Sequence, residues 1–205
     1  MKLNEIIQKP ITVAGPLELF YDDIKHGLMT KTYGKVKGDF IGTGSDLTFQ
    51  LTSLKNGPTW VQGVYCCRNN LLTSLEFCAS YVGEGFDCAN NEITSLEYAP
   101  EKIGRSFFCG QNPISSLSGI GRKYLKEIPG GILNTYGCPI VSNVLGIFLI
   151  KGLTQFRMVS EIGSSKLDPR YKVHKLLRRL IEEETDILDA QEELITNGFK
   201  EYAKL

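Results

Sequence analysis

The sequence predicts a repeat solenoid: short parallel β-strands stacked one per repeat, irregular return arms between them, and a small α-helical cap at the C-terminal end. Three observations predict it. One eleven-residue pattern recurs at a fixed spacing of 21 residues. Weaker copies of it flank the clear ones. From about residue 145 the repeat gives way to apolar residues at helical spacing.

The clear copies begin at Tyr65, Phe86 and Phe107. The first reads Tyr65-Cys66-Cys67-Arg68-Asn69-Asn70-Leu71-Leu72-Thr73-Ser74-Leu75. Aligned on it, five columns hold: an aromatic, Cys67/Cys88/Cys109, Asn70/Asn91/Asn112, Leu72/Ile93/Ile114 and Leu75/Leu96/Leu117. The linking segments keep phase, since Val61, Val82 and Ile103 are also 21 apart. Each copy should supply one strand, near Tyr65–Cys67, Phe86–Cys88 and Phe107–Cys109. Strand alternation then turns Tyr65 and Cys67 inward and Cys66 and Arg68 outward. The asparagines should bond main-chain groups exposed inside the turn, which would otherwise be buried unpaired. One repeat cannot bury these apolar faces alone, whereas a stack makes a continuous core.

Degenerate copies are expected at the ends, where the core must be closed. Leu17 to Ile24 fits with Asp22 in the asparagine position. Phe40 to Leu54 is a stretched copy ending in Leu51-Thr52-Ser53-Leu54, with Ser45, Asp46 or Phe49 in that position depending on the register. Leu133 to Ile140 fits with Cys138 there. The solenoid is therefore assigned to residues 1–144 and the helical cap to 145–205. Leu145 to Leu153 reads as a capping helix. A second helix follows Asp168-Pro169, an N-cap and then proline at the first helical position, with Val173, Leu176, Leu177, Leu180 and Ile181 on one face. A third starts at Thr185-Asp186 with Ile187, Leu188, Ala190, Leu194 and Ile195 inward, and stops at Asn197-Gly198.

The columns spell aromatic-x-Cys-x-x-Asn-x-Leu-x-x-Leu, which resembles the leucine-rich-repeat pattern with cysteine in its second apolar slot. Leu96-Glu97-Tyr98-Ala99-Pro100-Glu101-Lys102-Ile103 also resembles the short-repeat class of secreted bacterial effectors. The Leu-Thr-Ser-Leu-Glu tail and the closing segment from Asp189 to Leu205 look like tailed-bacteriophage proteins with short repeats and a helical tail. That resemblance implies a fold and an origin, and no settled activity.

The chain has 205 residues, 42% apolar and 22% charged, with 23 basic and 23 acidic side chains. The zero net charge speaks against a nucleic-acid partner, which usually meets a basic excess. The longest apolar run, Val144 to Ile150, is far too short for a bilayer. With no secretory h-region after Met1, the expectation is a cytoplasmic protein, in the host cytoplasm if phage-encoded. Its six cysteines should then be free thiols. Cys67, Cys88 and Cys109 read as core packing ahead of a metal site, since a fourth ligand is lacking.

No catalytic motif stands out. His26 and His174 lie in no triad or metal pattern, Gly119 to Gly131 contains no phosphate-loop signature, and Glu182-Glu183-Glu184 suits a solvated helix end. No cofactor is expected. The expectation is a protein-binding module that is not an enzyme, contacting its partner through outward strand positions: Cys66, Arg68, Asp87, Ala89, Phe108 and Gly110. Phe108 is either an anchor for the partner or packed beneath the cap. The phage resemblance makes a host bacterial protein such as a defence factor the implied target. The alternatives are a structural or self-assembling phage protein and, behind it, a small-ligand or nucleotide binder. Trp60 with Tyr81, and Phe77 with Tyr98, share a repeat phase and read as side packing before binding ladders.

Overall fold

The computed structural model describes residues 9–44, 50–159 and 167–205. The chain winds into a parallel β-solenoid of about six turns. Each turn contributes two very short strands at a bend, and they form two rows. The first row is Ile11–Val13, Tyr33–Val36, Trp60–Val61, Tyr81–Val82 and Lys102–Ile103; the second is Leu17–Glu18, Phe40–Ile41, Tyr65–Cys66, Phe86–Asp87 and Ser106–Phe108. Both rows run into one long strand, Glu127–Asn134, which meets Lys102 at its start and Ser106 to Phe108 at its end. A final strand, Lys151–Arg157, pairs along it.

The sequence reading found the second row and took the first only for linking segments in phase. The 21-residue period sets the register throughout the middle of the molecule, with Phe86 opposite Tyr65 on one side and Phe107 on the other. A constant register puts like side chains over like. Phe40, Tyr65, Phe86 and Phe107 form a buried column with ring centroids 4.6, 5.2 and 5.1 Å apart. Burying each such ring is worth about 2–3 kcal/mol. Cys67, Cys88 and Cys109 make a second buried column, and Val36, Val61, Val82, Ile103 and Ile128 a third. All six cysteines are free thiols, as expected. The bend between rows needs glycine where coils press together: a Cβ on Gly104 would lie 1.8 Å from the Gly83 carbonyl oxygen.

The asparagine column stitches each coil to the one before. Asn91 Oδ1 accepts from Leu72 N at 3.0 Å, while its Nδ2 donates to the carbonyls of Cys67 (3.1 Å) and Cys88 (3.0 Å). Asn70 and Asn112 repeat the arrangement. The return arm then opens with one hydrogen-bonded turn used four times. The amides of Gly57, Cys78, Ala99 and Ile120 donate to the carbonyls of Leu54, Leu75, Leu96 and Leu117. Its third residue has positive φ in every coil: Asn56 (70°), Phe77 (68°), Tyr98 (64°) and Gly119 (84°). Ser53, Ser74, Ser95 and Ser116 each accept from the amide two residues on, fixing the turn's approach.

The outer coils depart from the expectations. Asp22 is exposed and does no ladder work; Asp23 Oδ2 accepts from Phe20 N instead, as the chain turns out into the small hairpin Ile24–Lys25 and Leu28–Met29. Ser45, Asp46 and Phe49 lie outside the described residues. Cys138 does occupy the asparagine position, its thiol donating to the Cys109 carbonyl at 3.2 Å. The helix expected over Leu145 to Leu153 is not formed. A 3-10 turn, Leu145–Leu149, leads into the last strand, so the sheet continues past residue 144 to Arg157. Gly152, with φ +74°, and the register of Lys151 on Glu127 suit that strand's entry better than a helix.

Two helices follow, α1 (Tyr171–Glu182) and α2 (Ile187–Thr196). α1 buries Val173, His174, Leu177, Leu180 and Ile181 and packs on the strand Lys151–Arg157. Asp168 is not its N-cap; the carboxylate accepts from Arg170 N and grips the Arg170 guanidinium. That guanidinium donates in turn to the Cys138 carbonyl, joining helix entry to coil. α2 is capped by Asp186, as expected, and ends at Gly198 with φ +83°. It packs on the 3-10 turn Leu145–Leu149 and on α1, burying Ala190 and Leu194, whereas Leu188 and Ile195, expected inward, are exposed. No helix among the described residues is long and apolar enough to cross a membrane.

Candidate functional site

The second strand row presents its outer face as two columns. The pairing register places Glu18, Ile41, Cys66, Asp87, Phe108, Asn134 and Arg157 one above another. Beside them run Arg68, Ala89, Gly110 and Tyr136, held in step by main-chain bonds from Asn69 to Ala89, Asn90 to Gly110 and Gln111 to Tyr136. The residues expected at the surface are thus brought onto one face.

Their accessibility differs. Arg68 is exposed and its Nη1 lies 3.4 Å from Asp87 Oδ2, a pair open to water and weak for that reason. Asp87 uses its other oxygen to accept from Ala89 N at 3.0 Å, so the carboxylate is held in place. Cys66 is half-buried, with Sγ 3.2 Å from Thr43 Oγ1. Gly110 is buried and offers no surface: the Tyr136 backbone covers it so closely that a Cβ would stand 2.4 Å from Tyr136 O. Phe108 is 37% exposed, with Asp87 and Asn134 as its strand neighbours. The cap leaves it uncovered to that extent because α1 docks on the last strand, beyond it.

At its C-terminal end the face runs into a groove of about 850 Å³, lined by Asn134, Tyr136, Gln155, Arg157, His174 and Arg178 among others. One wall is the edge of the sheet; the other is α1. The volume falls within the range of ligand-binding clefts. Tyr136 is 49% exposed at the sheet wall. Arg157 donates to Gln155 Oε1 at 2.9 Å, and Arg178 pairs with Glu182 one helical turn on at 3.2 Å. His174 is buried, its Nδ1 accepting from Met158 N at 3.4 Å, which joins the helix to the end of the strand.

Sequence reasoning missed this groove and Tyr136. Tyr136 was one letter inside a degenerate repeat, and the groove exists only once α1 docks, which no local pattern announces. The repeat phase did carry a signal for Tyr136, because it follows Gly110 in the column.

The buried thiols offer little chemistry. Burial pushes Cys67, Cys88 and Cys109 well above the usual thiol range, with neighbouring thiols and Asp87 adding to it. Thiolate is the reactive form, so these three are packing groups. Cys138 is raised by burial as well, opposed by its main-chain contacts to Asn112 and Ile114. Among the described residues no group of three His, Cys, Asp or Glu side chains is placed to hold a metal ion.

The chain matches no protein-family model, no curated protein and no solved structure.

Proposed function

We propose that this protein is a non-catalytic binding module whose contact surface is the outer face of the second strand row, from Cys66 to the groove beneath α1. The observation that carries the reading is the pair of aromatic side chains left open on an otherwise regular face, Phe108 and Tyr136. Aromatic residues are enriched among the anchors that dominate protein interfaces. The face is rigid, since each outward residue stands on a strand stitched to its neighbours. Little ordering entropy would therefore be lost on binding. Arg68, Asp87 and Arg157 supply a polar margin around the rings.

The resemblance of the repeat and tail to tailed-bacteriophage proteins makes a host bacterial protein the partner class, and occlusion of a defence factor the purpose. Mechanism would then be coverage of the partner's surface by a preformed sheet.

The test uses the full chain and a Phe108→Ala/Arg68→Ala variant. A protein retained from bacterial lysate by the wild type is purified and titrated against both. The expected result is a loss of affinity of about tenfold or more, as for anchor residues, with unchanged melting. Equal affinity for the two proteins overturns the surface assignment. A wild type that retains nothing but proves oligomeric by light scattering favours self-assembly instead.

A further inference from the structure

The turn that opens each return arm offers a comparison within one molecule. Its third residue has positive φ in all four coils. Such a turn favours glycine or asparagine at that position, because a side chain with a Cβ is strained there. Two coils comply, with Asn56 and Gly119. Asn56 is also useful there, its Nδ2 donating to the Met29 carbonyl at 3.0 Å. The two middle coils instead carry Phe77 and Tyr98, among the bulkiest choices for a left-handed residue. Burial does not account for them, since Phe77 is 50% and Tyr98 49% exposed. Asparagine would relieve the backbone at both positions; Tyr98 has one ring neighbour in the molecule, Tyr124 at 5.8 Å, and neither ring is covered.

What they would meet is indicated by their neighbours. Glu76 and Glu97 immediately precede the two rings, both exposed. Ser74 and Ser95 hold the backbone of these glutamates by accepting from their amides at 3.0 Å. Glu76 forms no salt bridge among the described residues, and Glu97 acts on Lys123 without a close ion pair. In the next coil the molecule supplies a cation of its own. Lys123 Nζ lies 5.0 Å from the centre of the Tyr124 ring, and that ring lies 5.8 Å from Tyr98. The hydrogen bond to Tyr124 pushes the Lys123 ammonium above the ordinary lysine range, with Glu97 among the groups adding to it. A cation over an aromatic face is thus already made once, at Tyr124 beside Tyr98 and Glu97, and Glu76 with Phe77 repeats the ring and carboxylate in the coil before.

We propose that the stripe Glu76-Phe77 and Glu97-Tyr98 is a second docking surface, for a lysine- or arginine-bearing segment of a partner protein lying along the solenoid axis. Cations are attracted to ring faces, and the adjacent carboxylates add charge complementarity. The surface belongs to the return arms and does not depend on the Phe108 face.

The experiment titrates the full chain with an amidated peptide of alternating arginine and glycine, followed by fluorescence anisotropy. The wild type should bind saturably, and a peptide of alternating glutamate and glycine should not bind. Phe77→Asn/Tyr98→Asn gives the two middle coils the residue that Asn56 provides in the first. It should melt no lower than wild type and bind the arginine peptide about tenfold more weakly. Glu76→Gln/Glu97→Gln, which leaves rings and turn intact, should weaken binding and reduce its salt dependence. Absence of binding to the wild type overturns the proposal, as does equal binding to the asparagine variant. Should that variant melt well below wild type, the rings serve the fold, and the proposal fails on that ground. The Phe108→Ala/Arg68→Ala variant should bind the arginine peptide like wild type, so the two surfaces fail or stand separately.

Discussion

The middle three coils and the C-terminal end of this solenoid are held together by opposite means. Between Trp60 and Leu117 one interaction is made repeatedly: an asparagine side chain bonds its own coil and the previous one through buried main-chain groups. Every coil there has the same length, so every register is the same and every column stacks. Beyond Glu127 the strict repeat breaks down. Coil length changes, cysteine replaces asparagine at position 138, and closure depends on single contacts such as the Arg170 guanidinium on the Cys138 carbonyl. Periodic bonding gives a stack that could be extended indefinitely; a specific, non-repeating set of contacts is what ends it.

The largest test of that comparison is Asn91→Ala against Cys138→Ala. Removing the Asn91 amide leaves Leu72 N unpaired in a buried turn, while the Cys67 and Cys88 carbonyls each lose one of two donors and keep Asn70 and Asn112 respectively. An unpaired buried polar group costs roughly 1–3 kcal/mol, so with the two weakened carbonyls the loss should be on the order of 2–4 kcal/mol and should unfold the stack cooperatively. Cys138→Ala removes one weak thiol donor, and should cost about 1 kcal/mol. Denaturant melts of the two variants decide it. Equal losses would mean that the asparagine column is not what binds coil to coil.

A smaller effect lies within the middle coils. Tyr65 stands in a column otherwise built of phenylalanine, and its buried hydroxyl has no hydrogen-bond partner. Burial pushes its ionisation well above the ordinary tyrosine value, with the neighbouring thiols adding to it. Tyr65→Phe removes a desolvated hydroxyl and keeps the ring. Stability should rise by about 1 kcal/mol, at the low end for relieving an unsatisfied buried group. A drop on equilibrium unfolding would show that the hydroxyl has a partner, such as a trapped water.

How far each region could be read from the sequence follows the same division. The aromatic, cysteine and asparagine columns were legible because a 21-residue period forces like residues into contact, and Cys66, Asp87 and Phe108 reached the outer face by alternation alone. Gly110 failed because its burial depends on Tyr136 in the next coil, across a break in the period. Leu145 to Leu153, which runs into the strand Lys151–Arg157, reads as helix because Leu145 to Ile150 has no alternation; the partner strand Glu127–Asn134 decides the outcome. The first strand row was hidden because each of its two-residue strands carries a single buried column residue, Val61, Val82 or Ile103, with no neighbouring Cys or Asn column to mark it. Leu188 and Ile195 are placed inward by period, yet the 3-10 turn and α1 cover only the face of α2 that carries Ala190 and Leu194.

The smallest expected effect is a pH dependence confined to the C-terminal end. The Arg170 guanidinium, hydrogen-bonded to Asp168 with Nη2 to Oδ2 at 2.6 Å, holds that carboxyl below the ordinary aspartate range, aided by the Arg170 amide and opposed by partial burial. A carboxyl whose folded pKa is lowered binds protons less readily when folded than when unfolded. Its contribution is therefore fully present above the unfolded aspartate value of about 4, and is lost as pH falls through the lower folded value. Asp168→Asn removes the titration and leaves the geometry nearly isosteric. The difference in melting temperature between wild type and Asp168→Asn should be positive and level near neutral pH, then shrink below about pH 4. Glu201, also lowered by its Lys204 partner, titrates in both proteins and cancels from the difference. A difference that stays constant from neutral pH down to about pH 2 would mean that Asp168 does not hold Arg170 as an ion pair, and the clamp onto Cys138 would then have to stand on the guanidinium alone.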